Sequence, residues 1–253
     1  MSIRNASPPP SPRAPISEAR AVVARSFGLA VAAIPAPVLS GAVGAVPALT
    51  ALALFAGLLF ALERGVTTYH PHARLGAANR ITLVRAAIAC LIAARAMEPA
   101  SLADPERWLL AAVGAAGLML DGIDGWAARR QGLASAFGAR FDMEVDAFAI
   151  FVLSVIAVKA DAVASWVLAI GAMRYLYLIA GVAVPWLRQP VPPHPIADRR
   201  RKTVAVIQSI ALLIAFCPVT PQAWAAGICA VALGLLAYSF AADIVILSPR
   251  PHR

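Results

Sequence analysis

Residues 108–160 read WLLAAVGAAGLMLDGIDGWAARRQGLASAFGARFDMEVDAFAIFVLSVIAVKA. Two apolar runs flank a short polar loop, and four aspartates, Asp121, Asp124, Asp142 and Asp146, sit where the runs meet it. Each run approaches the ~20 residues that a helix needs to cross a bilayer. An ionised carboxylate at such a depth is costly unless it is paired or holds a cation. Four of them in 26 residues therefore call for a common cause. Helical spacing supplies one, because Asp121, Asp124, Gly125 and Ala128 recur at three and four residues and share a face, as do Gly138, Asp142 and Asp146 on the next helix. A short loop makes the two helices antiparallel, so the stripes are expected to face each other and gather four carboxylates into one pocket. Hard oxygen ligands that converge in this way suit Mg²⁺ or Mn²⁺, one or two ions. Gly125, Ala128 and Gly138 remove bulk where a ligand or a neighbouring helix must approach the backbone. Arg129 lies one residue beyond this face, able to reach a phosphate at the membrane surface.

The rest of the chain is built for the same solvent. Hydrophobic residues make up 60% of the 253 and charged ones 14%, and the mean hydropathy is +0.75, a balance that leaves too little polar surface for a soluble domain of this size. Apolar segments fall at about 27–43, 46–62, 79–97, 108–128, 141–160, 162–186, 203–218 and 223–247. The expected fold is all-α and polytopic, a six-helix transmembrane core over 79–247 preceded by an N-terminal hydrophobic hairpin at 27–63, about eight spans in all. Pro35, Pro37, Pro47, Gly41 and Gly44 supply the turn chemistry; a re-entrant element fits as well, but the hairpin is the favoured reading.

Topology accounts for the net charge of +9. Cations fall before the first segment, between the second and third, the fourth and fifth, and the sixth and seventh, and after the eighth; the alternate loops carry only Arg95, Arg107 and Lys159. The positive-inside rule then puts both termini and the aspartate end in the cytoplasm, in a bacterial-type cell membrane. Neither a continuous basic patch nor an aromatic-interleaved groove is present, so nucleic acid is not an expected partner. Residues 1–26, with five prolines and four arginines, read as a basic, disordered cytoplasmic tail and not as a cleavable signal; residues 248–253 form a short cytoplasmic tail. Cys90, Cys217 and Cys229 have no metal-ligand or disulfide spacing.

Asp121, Asp124, Gly125, Ala128, Arg129, Gly138, Asp142 and Asp146 meet every position of the pattern D-x-x-D-G-x-x-A-R-x8-G-x-x-x-D-x-x-x-D. The chain thereby resembles the CDP-alcohol phosphotransferases over roughly 79–247. Asn79, Thr82 and Arg85 also resemble the N-x-x-T-x-x-R opening of that family's first core helix. Arg201-Lys202-Thr203 resembles its basic-Thr approach to the fifth, although the preceding Gly is absent and Gln208 is displaced. The resemblance implies transfer of a substituted phosphate from a CDP-alcohol, by default CDP-diacylglycerol, to an alcohol acceptor with release of CMP, in phospholipid biosynthesis. It implies that Asp121, Asp124 and Asp142 are metal ligands, that Asp146 is a ligand or the general base, and that Arg129 engages the CDP diphosphate. Asp121 would border the nucleotide as well, and Gly125, Ala128 and Gly138 would let it approach. A homodimer among membrane lipids is implied on the same ground, with the small-residue faces of the third and fourth core helices as candidate contacts.

Acceptor binding is open to Arg174, Arg200, Arg201 and Lys202, each of which could instead snorkel, set topology or attract anionic lipid. Glu144, on a different face from Asp142 and Asp146, is expected to form an ion pair. Three other functions stand beside the default. A CDP-linked head group could pass to a diradylglycerol; a transporter would place ionisable groups at the midplane with inverted repeats; an inactive scaffold would have lost an aspartate.

Overall fold

The computed structural model describes residues 44–69, 76–131, 135–189, 191–192 and 194–248, with short pieces at 21–22, 24–26 and 28–29; at 65–69, 123–131 and 136 it describes the backbone alone. The expected N-terminal tail, the first arm of the hairpin and the C-terminal tail beyond Ser248 lie outside these residues apart from the short pieces.

Seven long helices carry the described chain: α1 (Ala45–Tyr69), α2 (Gly76–Met97), α3 (Asp104–Gln131), α4 (Ala136–Lys159), α5 (Leu168–Ala183), α6 (Pro195–Ala215) and α7 (Gln222–Leu247). Single 3₁₀ turns at Ser165–Val167 and Pro185–Arg188 flank α5, and no strand occurs among the described residues. Each helix contains or overlaps one of the apolar segments from 46–62 onward. By length and composition, Ala45–Arg64, Gly76–Met97, Ser165–Ala183 and Gln222–Leu247 can each cross a bilayer. The remaining helices, α3, α4 and α6, carry the aspartates and the basic run within or beside their apolar length.

Local chemistry sets the ends. Ser135 caps α4 by accepting a hydrogen bond from the Gly138 amide at 3.0 Å, an arrangement worth about 1 kcal/mol. Pro195 opens α6, where its missing N–H costs nothing. At the opposite end of the bundle, cations close the loops. Arg107 donates to the Phe216 carbonyl at 2.9 Å and to that of Cys217 at 3.4 Å, satisfying the frayed C-terminus of α6. Arg95 grips Glu106 through Nε at 2.9 Å and Nη2 at 3.0 Å and also reaches the Ser101 carbonyl. These hydrogen bonds to Arg95, together with that from the Ala103 amide, hold the Glu106 carboxyl below the usual range. The few cations of these loops thus have structural work.

Polarity runs inward. Leu176, Ile179, Val182, Val231, Tyr238 and Val245 are exposed, whereas Asn79, Thr82, Arg85, Ser154, Gln208 and Asp243 are buried. Water would punish that distribution; lipid requires it, because polar groups there must find partners inside the protein. Helix α4 lies at the centre, packed on α1, α2, α5 and α6, while α2 lies against both α3 and α4. The α1 residues Phe55, Leu59 and Leu62 join Leu83, Cys90, Phe141 and Val145 in one cluster, so the helix that precedes the six-helix core is docked onto it.

Small residues permit the tightest approach. A Cβ on Gly171 of α5 would fall 2.6 Å from Ser154 Oγ and would press on the Phe151 backbone of α4. Gly171 and Ser154, small residues of adjacent helices, thus meet within one chain. Gly171→Val is expected to force α5 away from α4 and to lower stability by about 2–3 kcal/mol, read as a fall in melting temperature in detergent. An unchanged melting temperature would show that the two helices are not in contact there.

Candidate active site

Asp121 lies on the last part of α3, and Asp142 and Asp146 one turn apart on the first part of α4. Each can offer one carboxylate oxygen such that the three lie within 4.8 Å of one another. All three are partly buried, with 26%, 31% and 28% of their side chains exposed, so the cluster is shielded without being sealed. Three anionic oxygens this close repel one another and form an all-oxygen donor set suited to a hard divalent cation. The residues fit the metal that their spacing suggests.

Asp121 of the first stripe meets Asp142 and Asp146 of the second. Among the described residues α2 packs on both α3 and α4, and the carboxylates converge beside it. Arg85 of α2, only 7% exposed, stands among them. Its Nη1 bonds Asp142 Oδ1 at 2.6 Å and lies 3.0 Å from Asp121 Oδ1, and its Nη2 bonds Asp146. The sequence placed Arg85 in an apolar helix without naming its partners. The signal was there: an intramembrane cation needs a counter-charge, and the aspartate cluster is where anions are concentrated.

Gly138 opens space for α2 also. A Cβ there would lie 2.8 Å from the Asn79 amide oxygen and 3.3 Å from Ser135 Oγ, so a neighbouring helix fills the room that the glycine leaves. Asn79 and Thr82, both buried, share the polar face of α2 with Arg85, and Thr82 Oγ1 donates back to the Ala78 carbonyl at 3.1 Å. Asp124, Gly125, Ala128 and Arg129 lie on the same helix as Asp121, at positions where only the backbone is described.

The four candidate acceptor residues divide between two helices. Arg174 on α5 donates to Glu144 on α4, with Nη2 2.5 Å and Nε 3.3 Å from the carboxylate, which gives Glu144 the ion pair expected of it. Arg200 on α6 pairs with Asp243 on α7, and Arg201 reaches Asp198 at 2.6 Å and Asp243 at 3.3 Å. Lys202 follows one residue on, in the same helix. Within the basic run 199–202, Arg200 and Arg201 are thus tied to α7. Asp243 and Glu144 are the anions that fix these arginines, and Asp243, alone near the end of a long apolar helix, escaped the sequence reading.

An acidic cluster at the meeting of three helices, with a buried arginine inside it, can hold a cation and, through it, an anionic diphosphate. Neither a curated protein nor a solved structure matches the chain. The family model for CDP-alcohol phosphatidyltransferase matches residues 75–237, from the start of α2 into α7 and across every residue of the cluster, and the chain belongs to that family.

Proposed function

We propose that this protein is a metal-dependent transferase that moves a phosphatidyl group from CDP-diacylglycerol to an alcohol acceptor and releases CMP. The convergence of Asp121, Asp142 and Asp146 carries the reading. In the reaction the acceptor hydroxyl attacks the β-phosphorus, the bond from that phosphorus to the CMP oxygen breaks, and a phosphodiester forms. Asp121, Asp124, Asp142 and Asp146 would hold one or two Mg²⁺ or Mn²⁺ ions. Such a cation, when bound, neutralises the diphosphate and stabilises charge on the leaving oxygen. Asp146 accepts the proton of the attacking hydroxyl. Arg129 steadies the diphosphate, and Asp121, Gly125, Ala128 and Gly138 border the nucleotide. Lys202 is an acceptor candidate that follows Arg201 directly on α6. Arg174, Arg200 and Arg201 would serve an anionic acceptor only by sharing their present carboxylate partners.

The same reading places the site at the cytoplasmic face of a cell membrane with both termini inside. The loop cations support that orientation, and CDP donors are made on that side. Lipid-facing apolar surfaces on α5 and α7 suit a donor that reaches the site without leaving the bilayer. We assign the core as six spans, with α1 as the second arm of an N-terminal hairpin, and the assembly as a homodimer. Purified protein in detergent, given CDP-diacylglycerol, a divalent cation and a panel of polar and phosphorylated alcohols, is expected to release CMP with at least one of them. Release only from a CDP-linked head group with diradylglycerol would reverse the direction of transfer. Folded protein that releases no CMP with any pair would favour an inactive scaffold.

A further inference from the structure

Arg85 poses a question that the transfer reaction does not answer. A metal site is made of anions, yet a guanidinium sits inside this one, in contact with all three carboxylates whose side chains are described. Three carboxylates and one guanidinium leave a formal charge of −2, which one divalent cation cancels. The guanidinium cannot reach that balance by losing its proton, since arginine stays charged in proteins. At 7% exposure it has little water to turn to. Its hold on the site is also directional: two nitrogens bridge α3 and α4 from α2, and Asn79 against Gly138 fixes α2 one and a half turns earlier.

We infer that Arg85 is the resident counter-ion of the acidic cluster, holding Asp121, Asp142 and Asp146 together when no divalent cation is bound and opposing the cation when it arrives. The inference rests on the metal reading given above. Its consequence is a trade. The site stays assembled without metal, and metal affinity is lower than three converging carboxylates would give. Removing the guanidinium leaves the anions in mutual repulsion, which only a cation relieves, so binding tightens while the metal-free fold weakens. A residue that merely shaped the site would do the opposite, because its loss would scatter the ligands and weaken binding.

The test uses full-length protein in detergent, Mn²⁺ as the probe, and the variants Arg85→Gln and Arg85→Lys. Binding is followed by the loss of the free Mn²⁺ paramagnetic resonance signal, and stability by melting with EDTA or with saturating Mn²⁺. Arg85→Gln is expected to bind Mn²⁺ at least about tenfold more tightly than the wild type, since one nearby positive charge has gone. Arg85→Lys keeps the charge but not the two-nitrogen bridge, and is expected to fall between them. Both variants should gain more in melting temperature from Mn²⁺ than the wild type does. Arg85→Lys preserves the test if Arg85→Gln does not fold. Equal or weaker Mn²⁺ affinity in the folded variants, with metal-independent melting, would overturn the counter-ion role while leaving the metal site standing. A wild type and variants that all fail to bind Mn²⁺ would remove both together.

Discussion

Replacing Asp121, Asp124 or Asp142 by Asn is expected to lower CMP release by at least about 10²-fold while the protein remains folded. The scale follows from metal chemistry: even groups that only orient a ligand cost 10–100-fold when lost, and a ligand that loses its charge should cost no less. Asn keeps the volume and a carbonyl oxygen, so helix packing has little to resist. The fold has a further reason to survive, because Arg85 still finds two carboxylates after either Asp121 or Asp142 is neutralised. Asp146→Asn should abolish turnover by a different route, through loss of the base as well as of charge, with an effect on the order of 10²–10⁴-fold. Adding EDTA to the wild type should reproduce the ligand variants. Substantial turnover in all three ligand variants, measured on protein with the wild-type melting behaviour, would sink the assignment of these residues to a metal site.

The aspartate pattern was legible because its constraints are local: helical spacing puts Asp142 and Asp146 on one face whatever the tertiary structure does. The all-helical class was legible for a related reason, since backbone groups in lipid must be satisfied within the helix. Three-body relations were harder. Spacing alone could suggest that the two acidic stripes face each other, but it could not show that Arg85 of α2 joins them, because that depends on how α2 packs on both α3 and α4. Helix ends also escaped the hydropathy pattern. Helix α1 runs on to Tyr69 and α3 to Gln131, past the points where charge ends the apolar run, because Glu63, Arg64, Arg129 and Arg130 are good helix formers that do not break the backbone at a membrane surface. The uses of Glu144 and Asp243 divide along the same line. Glu144 could be expected to pair because two carboxylates flanked it on another face, whereas Asp243 had no local pattern around it and needed the α6–α7 packing to reveal its partners.

That isolated carboxylate should matter most for stability. Asp243 is 8% exposed, and it receives Arg200 and Arg201 from the first turns of α6. Asp243→Ala would leave Arg200 with the Ser239 carbonyl, 3.3 Å from its Nη2, as its remaining acceptor, while Arg201 keeps Asp198. Breaking one side of a buried pair costs about 3–5 kcal/mol. Arg200 and Arg201 retain 21% and 31% of their side-chain exposure, so screening brings the expected loss to about 2–3 kcal/mol. Arg200 Nε is already buried without a hydrogen-bond partner among the described residues, which leaves this guanidinium little tolerance for a second unmet donor. Asp243→Asn, which keeps an acceptor, should cost less than Asp243→Ala. The double variant Asp243→Leu with Arg200→Met should recover part of the loss, and a double-mutant cycle on melting in detergent measures the coupling directly. The effect should extend to function, because the turn that Asp243 holds carries Arg200 and Arg201 and leads straight to Lys202, the three acceptor candidates on α6. Asp243→Ala is therefore expected to raise the acceptor KM more than it lowers kcat. A cycle that returns no coupling, with melting equal to the wild type, would show that the α6 arginines are held by something other than Asp243 and would remove the link between this ion pair and the acceptor.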